Sequence, residues 1–510
     1  MNKRVHFISM EDITKSFGSV VANKNISFQV YEGEVHALLG ENGAGKSTLM
    51  NMLSGVYTPD KGSIFVHGKK VSFSSPKDSI KAGIGMIYQH FKLVEAMSAR
   101  DNIVLGQKNS FFRSKKAADE KINSICEKYE LNINLDKMVY DMSVAERQIL
   151  EIIKVLYRGA KILILDEPTT VFTPQDVEKL FRIMRKMKEN GCAIIFITHK
   201  MDEVMEIADR ITVLRKGETI KTLEKDATNS RELAELMVGR SVDLFIKKSH
   251  CEIGKSILQV KELKVCNNEG NYALNKVSFD MYKGEVLGIA GIAGSGQKEI
   301  CEAISGICKI NNGEIIFQGE NIAGKSPREI MSKGISMSFI PEDRLGMGLV
   351  ASMDMVENLM LKAYYKNKGI FINRGPVRIK AEEIKNKLDI KTPNIYYPIK
   401  NLSGGNIQKI LLGRELDCNP HLLIMAYPVR GLDINTCYAI YDLINEQRAK
   451  GVSVLFIGED IDVLMQLCDR IMVICDGTVT GIVDPKTCVK EDIGLLMAGG
   501  TKPQTEEGIA

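Results

Sequence analysis

Two kinds of hydrophobic spacing alternate along this chain. Short apolar runs such as EVHALLG (34–40), AKILILDE (160–167) and CAIIFITH (192–199) have the length of buried strands. Between them lie segments such as VEKLFRIMRKMKEN (177–190), whose apolar residues recur at three- and four-residue steps. This alternation predicts an α/β core built on a largely parallel sheet. The pattern then occurs a second time. KNISFQVYEGEVHALLGENGAGKS, from Lys24, aligns with NKVSFDMYKGEVLGIAGIAGSGQK, from Asn275, and pairs Gly40 with Gly291 at an offset of 251 (291 − 40). Later landmarks shift to 260, because Ser143 matches Ser403 (403 − 143) and His199 matches Glu459 (459 − 199). A repeat of this length indicates duplicated domains rather than a solenoid. The boundary falls in the polar run RSVDLFIKKSHCEIGK. The expected division is residues 1–242, a linker at 243–256, a second domain at 257–498 and a flexible tail at 499–510.

Composition narrows the class. Hydrophobic residues at 44% and charged residues at 26% describe an ordinary globular chain. A net charge of +4 over 510 residues argues against an electrostatically driven nucleic-acid binder, so no nucleic acid is expected as a partner. No run approaches the eighteen apolar residues of a membrane span, and the N-terminal MNKRVHFISMEDI lacks the apolar core of a signal peptide. The eleven cysteines are odd in number and form no CxxC pair, which predicts reduced thiols rather than disulfides or a metal site. Cys301 and Cys308, seven apart, are expected on one helix face.

The chemistry sits in the repeat, and the two copies have lost opposite parts. The first has an intact phosphate loop, GENGAGKST, from Gly40 to Thr48, between the strand EVHALL and a helix. Its glycines let the backbone N–H groups of Asn42, Gly43, Ala44, Gly45 and Lys46 approach phosphate oxygens, and the helix start favours their charge. Lys46 would reach the β- and γ-phosphates of ATP, and Ser47 would ligate Mg²⁺. The strand ILILDE ends in Asp166, expected to orient the magnesium shell, and Glu167, expected to polarise the attacking water. His199, after a further strand, is a candidate γ-phosphate contact. In the second copy Gln297 replaces Lys46, Lys298 replaces Ser47, Ala426 and Tyr427 replace the two acids, and Glu459 replaces His199. That half reads as non-hydrolytic. A second motif shows the reverse loss: Met142–Glu146 is MSVAE, whereas Leu402–Asn406 is LSGGN, read as the better helix-capping, glycine-rich loop.

These motifs, in this order over nearly the whole chain, resemble the ATP-binding cassette ATPases. The resemblance implies two tandem P-loop cassettes, each with a largely parallel core sheet and a helical subdomain. It also implies a shared site in which Ser403, Gly404 and Gly405 cap the γ-phosphate held by Lys46. Gln89, in GIGMIYQHF, would be the glutamine that touches Mg²⁺ and faces a membrane partner, with Glu342 as its counterpart. Phe17 would stack on adenine, and the offset of 251 maps it to Asn268. Leu432 and Asp433 of PVRGLD would face the intact site, while Thr173 stands at the Asp position in the first copy.

Within the family, FIPEDR (339–344) and NLSGGNIQK resemble tandem-cassette importers of ribose, galactose and related sugars, and the QHF of the first copy looks closer to the nucleoside-importing branch. Ala145 departs from the glycine usual there. Two transmembrane permeases and an extracytoplasmic solute-binding lipoprotein are the implied partners, with this chain peripheral on the cytoplasmic face of the cell membrane. The alternative is a soluble tandem cassette ATPase acting on ribosomes, a class that usually keeps both sites and a long charged linker. A DNA-repair cassette would need zinc-spaced cysteines that are absent here.

Overall fold

The computed structural model describes residues 6–500 apart from 19, 90, 107–114, 170–171, 240–245, 247, 249–252, 268–269, 340–344, 346–347, 363 and 365–372, and the side chains of 336–339 are also set aside. The chain divides into two compact units, Met1–Asp243 and Leu244–Ala510.

The first unit opens with the paired strands β1 (His6–Phe17) and β2 (Val20–Tyr31), then β3 (Val35–Leu39) and α1 (Lys46–Leu53). There follow β4 (Lys61–Val66), β5 (Lys69–Val71), α2 (Pro76–Lys81) and β6 (Ile84–Ile87). Three helices come next: α3 (Ala99–Val104), α4 (Lys115–Tyr129) and α5 (Val144–Tyr157). The unit closes with β7 (Ile162–Asp166), α6 (Pro174–Glu189), β8 (Ala193–Ile197), α7 (Met201–Ile207), β9 (Arg210–Arg215), β10 (Glu218–Glu224) and α8 (Ser230–Val238).

Two sheets result. One is antiparallel, in the order β2-β1-β4-β5, and the other has six strands in the order β10-β9-β3-β8-β7-β6. All pairings in the larger sheet are parallel except β9 with β10 at its edge. The central strand β3 is buried at all five positions, as a parallel strand covered on both faces must be. Along β7, Ile162 and Ile164 enter the core beneath the antiparallel sheet, while Leu163 and Leu165 enter the core beneath the helices. Thr173 caps α6 by accepting from the Asp176 N–H, Pro174 takes the first turn, and Leu180, Phe181, Met184 and Met187 form its buried stripe. Each such side chain contributes about 1.5–3 kcal/mol of burial.

The second unit repeats the plan with β11 (Ser256–Cys266), β12 (Tyr272–Tyr282), β13 (Val286–Ala290), α9 (Gln297–Ile304), β14 (Asn312–Phe317) and β15 (Glu320–Asn321). It continues through α10 (Pro327–Ser332), β16 (Ile335–Phe339), α11 (Met355–Met360), α12 (Gly375–Lys387), α13 (Gly404–Asp417) and β17 (Leu422–Ala426). Its last elements are α14 (Ile434–Ala449), β18 (Ser453–Ile457), α15 (Ile461–Leu467), β19 (Arg470–Cys475), β20 (Thr478–Val483) and α16 (Lys490–Met497). Its large sheet, β16-β17-β18-β13-β19-β20, has the strand order of the first.

Two sequence expectations change here. The segment expected as a linker is partly folded onto the second unit: Ile246 is buried in its core, Lys248 pairs with Asp469 at 3.5 Å, and Ser256 already belongs to β11. Cys301 and Cys308 do not share a helix face, because α9 ends at Ile304, where Gly306 turns with a φ of 71°. The ten described cysteines are free thiols.

Candidate nucleotide sites

The first phosphate loop follows β3 and delivers the chain into α1. Gly43 and Gly45 have φ of 82° and 99°, a left-handed conformation that L side chains rarely adopt. At Gly45 a Cβ would also lie 2.5 Å from the Ala22 carbonyl oxygen, so only glycine fits. Asn42 and Ser47 are exposed, Gly40 and Ala44 are buried, and Thr48 is half-buried. The side chain of Lys46 is folded into the loop, donating to the carbonyl oxygens of Gly40 (2.6 Å) and Glu41 (3.1 Å). Burial lowers its pKa, against the opposing pull of Glu167 and Asp166.

The two acids stand at the end of β7. Burial and the Glu167 charge push the Asp166 carboxyl up to about 6, although Lys46 opposes them. Burial also pushes Glu167 up, but the His199 hydrogen bond and the His199, Lys46 and Lys200 charges outweigh it, and its net shift is downward. Glu167 accepts from Gln89 Nε2 at 3.3 Å and lies 3.1 Å from His199 Nδ1. Gln89, Glu167 and His199, 78 and 32 residues apart in sequence, thus converge on one carboxylate beside Lys46. That carboxylate can orient a water, and two adjacent half-buried acids favour a cation beyond Lys46.

The second unit keeps this backbone and changes its chemistry. Gly294 and Gly296 have φ of 90° and 111°, and Gln297, fully buried, donates from Nε2 to the Ile292 carbonyl oxygen at 3.0 Å. It occupies the place of Lys46 without its charge. Lys298 points away to Glu302 at 3.5 Å. Tyr427 has the left-handed φ of Glu167, 52° against 46°, and each donates its N–H to the end of the next strand. Burial pushes the Tyr427 phenol up to about 12, and Glu459 is paired with Arg430 at 3.1 Å.

The family model described as ABC transporter matches residues 23–170 and 274–429. The chain belongs to the ABC transporter family. It is 42% identical to the nucleoside import ATP-binding protein NupA of Lactococcus lactis subsp. cremoris, over 97% of this chain and 98% of that protein. It is 43% identical to the guanosine import ATP-binding protein NupO of Bacillus subtilis, over 99% of each. Against the ribose import ATP-binding protein RbsA of Oceanobacillus iheyensis the identity is 37%, over 97% and 99%. These relatives give the ribosome reading no support. The chain is an ABC ATPase with two cassettes, and it binds and hydrolyses ATP.

The signature helices of the cassettes correct one expectation. Ser143, not Ser403, is the fully capped start: it accepts from Glu146 N–H at 3.2 Å while Glu146 accepts from Ser143 N–H at 2.8 Å, a complete capping box. Ser403 makes no side-chain cap, and its hydroxyl accepts from Asn406 Nδ2 at 2.8 Å. The Ser403 side chain therefore takes no first-turn N–H, whereas Ser143 accepts from the Glu146 N–H of its own helix. A Cβ at Gly405 would lie 3.0 Å from Thr436 Oγ1, tighter than ordinary packing. Asp433 caps α14 through Thr436, and Thr173 does the same for α6 through Asp176.

Phe17 is exposed and stacks edge-on against Tyr57 at 5.2 Å between ring centroids. Tyr57 escaped sequence reasoning, because only the fold brings the end of α1 to the β1–β2 turn. Strand register also moves the counterpart of Phe17. Ile13 pairs with Ile26 and Leu263 with Val277, so the offset along β11 is 250 (263 − 13), which gives Asn267 rather than Asn268. The second cassette instead presents the exposed Tyr272 beside this turn, with Lys264 5.3 Å from its ring centroid. Asn268 and Glu342 lie outside the described residues.

Proposed function

We propose that this chain is the ATP-hydrolysing subunit of a membrane importer for a small solute, with nucleosides the preferred class and ribose- or galactose-type sugars the second. The observation that carries the reading is the half-buried pair Asp166–Glu167 beside the buried Lys46, answered in the second cassette by Ala426 and Tyr427. Support for nucleosides is the higher identity to the nucleoside and guanosine import proteins than to the ribose import protein. Two permeases and an extracytoplasmic solute-binding lipoprotein complete the assembly, with this chain peripheral on the cytoplasmic face of the cell membrane. No described helix is long and apolar enough to cross a membrane, so the channel is assigned to other chains.

In this reading each chain has one competent site. Residues Gly40 to Thr48 cradle the phosphates, Phe17 stacks on adenine, and Ser403, Gly404 and Gly405 of the second cassette meet the γ-phosphate. Ser47, Gln89 and Asp166 would hold Mg²⁺, a donor set of hydroxyl, amide and one carboxylate that suits an ion completing its shell with phosphate and water. When bound, Mg²⁺ would neutralise charge on the β- and γ-phosphates. Glu167 takes the proton of the attacking water, held in place by Gln89 and by His199, whose other edge faces the γ-phosphate. The test is uptake of labelled guanosine and ribose by vesicles containing the full complex: ATP-dependent accumulation of guanosine supports the reading, and accumulation of neither solute overturns it.

A further inference from the structure

The loop that carries Gln89 is tied down three residues later, at Lys92, in an unusual way. The Lys92 N–H donates to Glu151 Oε1 at 2.8 Å, and the Lys92 carbonyl oxygen accepts from Lys154 Nζ at 2.7 Å. Glu151 and Lys154 also pair with each other at 3.2 Å, and both are buried. They sit on α5, about 12 Å (Glu151) and about 16 Å (Lys154) along the helix from its capping residue Ser143 at about 1.5 Å per residue. A buried ion pair carries a large desolvation cost, and an apolar pair of similar size is often as stabilising. This one is spent on both main-chain groups of a single residue, through charge-assisted hydrogen bonds that fix its position.

The second cassette supplies an internal control. Both cassettes hold the next part of the loop with a buried asparagine. Asn102 clamps Val94 through its N–H (2.8 Å) and carbonyl (3.0 Å), and Asn358 clamps Val350 in the same way (2.8 and 3.1 Å). Aligning these asparagines places Gly348 at Lys92, and the offset of 260 places Leu411 at Glu151 and Arg414 at Lys154. Arg414 turns instead to its neighbour Glu415, at 3.0 Å, which also binds Lys362. Where the first cassette has its clamp, the second has a cavity of about 190 Å³ lined by Gly348, Leu411, Arg414 and Lys362 among others. The clamp therefore belongs to the cassette with the intact acids. The fold does not require it.

We propose that Glu151 and Lys154 are positioning residues that make the Gln89 loop and helix α5 move as one body, so that the state of the nucleotide beside Gln89 is passed to the helical part of the first cassette. The inference rests on the reading of Gln89 as the group that senses the nucleotide. A hydrogen-bonded clamp on one residue of a loop is a stiff link between two elements, and removing it leaves the Asn102 contact and the exposed Arg147–Glu95 pair at 3.2 Å further along.

The test is hydrogen exchange on the full chain, with ATP and Mg²⁺ against ADP and Mg²⁺. In the wild type and in Lys154→Arg, both 89–95 and 144–157 respond to the change of nucleotide. In Glu151→Leu/Lys154→Met, which leaves no unpaired buried charge, 89–95 still responds and 144–157 does not. In the reconstituted transporter this double variant keeps its KM for ATP, while stimulation of hydrolysis by loaded binding protein falls about fivefold or more, the low end of ordinary coupling. A merely structural pair predicts the opposite, because neutralising both partners restores a foldable core. A double variant whose 144–157 segment responds with wild-type amplitude overturns the inference alone. A wild type in which neither segment responds overturns the inference together with the reading of Gln89. Failure of every solute to stimulate the wild type sinks the importer reading, and the exchange result still decides the clamp.

Discussion

The two cassettes share a backbone and differ in what they can do with it. Glu167 and Tyr427 hold the same left-handed φ, 46° and 52°, at the same strand end, and both phosphate loops turn on two left-handed glycines. Backbone strain is commonly taken as a mark of catalysis. Here it is a property of the fold, kept where both acids are gone. What separates the halves is side-chain chemistry: a buried cation against a buried amide, two carboxylates against a methyl and a phenol. Function resides in the site set on the fold, and this chain holds two versions of one site for comparison.

The largest effect should come from the intact half. Lys46→Ala or Glu167→Gln is expected to lower ATP turnover about 10²-fold or more, in line with loss of a general base or its phosphate anchor. Gln297→Ala and Tyr427→Ala should leave most of the activity. A steady-state ATPase assay on all four variants decides this, and a comparable loss from the second pair would break the asymmetry.

Coupling comes next. Gln89→Ala should reduce solute uptake and cut the response of hydrolysis to loaded binding protein about fivefold or more, with ATP binding little changed. If that response survives intact, the loop at Gln89 is not the coupling element.

A stability measurement sharpens the comparison in a different currency. Asp166 has a folded pKa near 6 against an ordinary 3.8, so the folded chain binds its proton more tightly than the unfolded chain. Stability contributed by this group therefore falls as pH rises through that window, and above it the full penalty is present. Asp166→Asn should stabilise the nucleotide-free protein by up to about 3 kcal/mol at pH 8, with the gain fading as pH falls toward 4. Ala426→Asp in the second cassette should destabilise it over the same range. Chemical denaturation at a series of pH values reads both, and a pH-independent Asp166→Asn effect would remove the buried-charge account.

The smallest expected difference concerns the signature helices. Ser143→Ala loses a complete capping box and should cost about 1 kcal/mol of stability, whereas Ser403→Ala, with no cap to lose, should cost little. Equal costs would mean that Ser403 caps its helix after all.

Much of this was legible in the sequence, because the phosphate loop and the acids are contiguous motifs punctuated by glycine and buried strands. Alternating apolar runs likewise pointed to an α/β core on a largely parallel sheet. Three features were harder to read. Glycine in LSGGN suggested the better cap, yet Ser143 and Glu146 stand at the spacing of a capping box, a signal outweighed by the glycines. A fixed offset placed the partner of Phe17 one residue too far, since the extra residue lies in a turn that only strand register reveals. Glu151 and Lys154 look like an ordinary solvated pair on a helix, and their burial depends on a loop some sixty residues away in sequence.

The central proposal is that each chain has one competent site, to which the first cassette would bring its phosphate loop and the second its signature. Steady-state ATPase of Ser403→Arg against Ser143→Arg tests it most directly, since a bulky cation at a helix start that should meet the γ-phosphate blocks that site alone. The account predicts that Ser403→Arg is as inactive as Lys46→Ala and that Ser143→Arg is much milder. Equal losses, or a greater loss from Ser143→Arg, would contradict it.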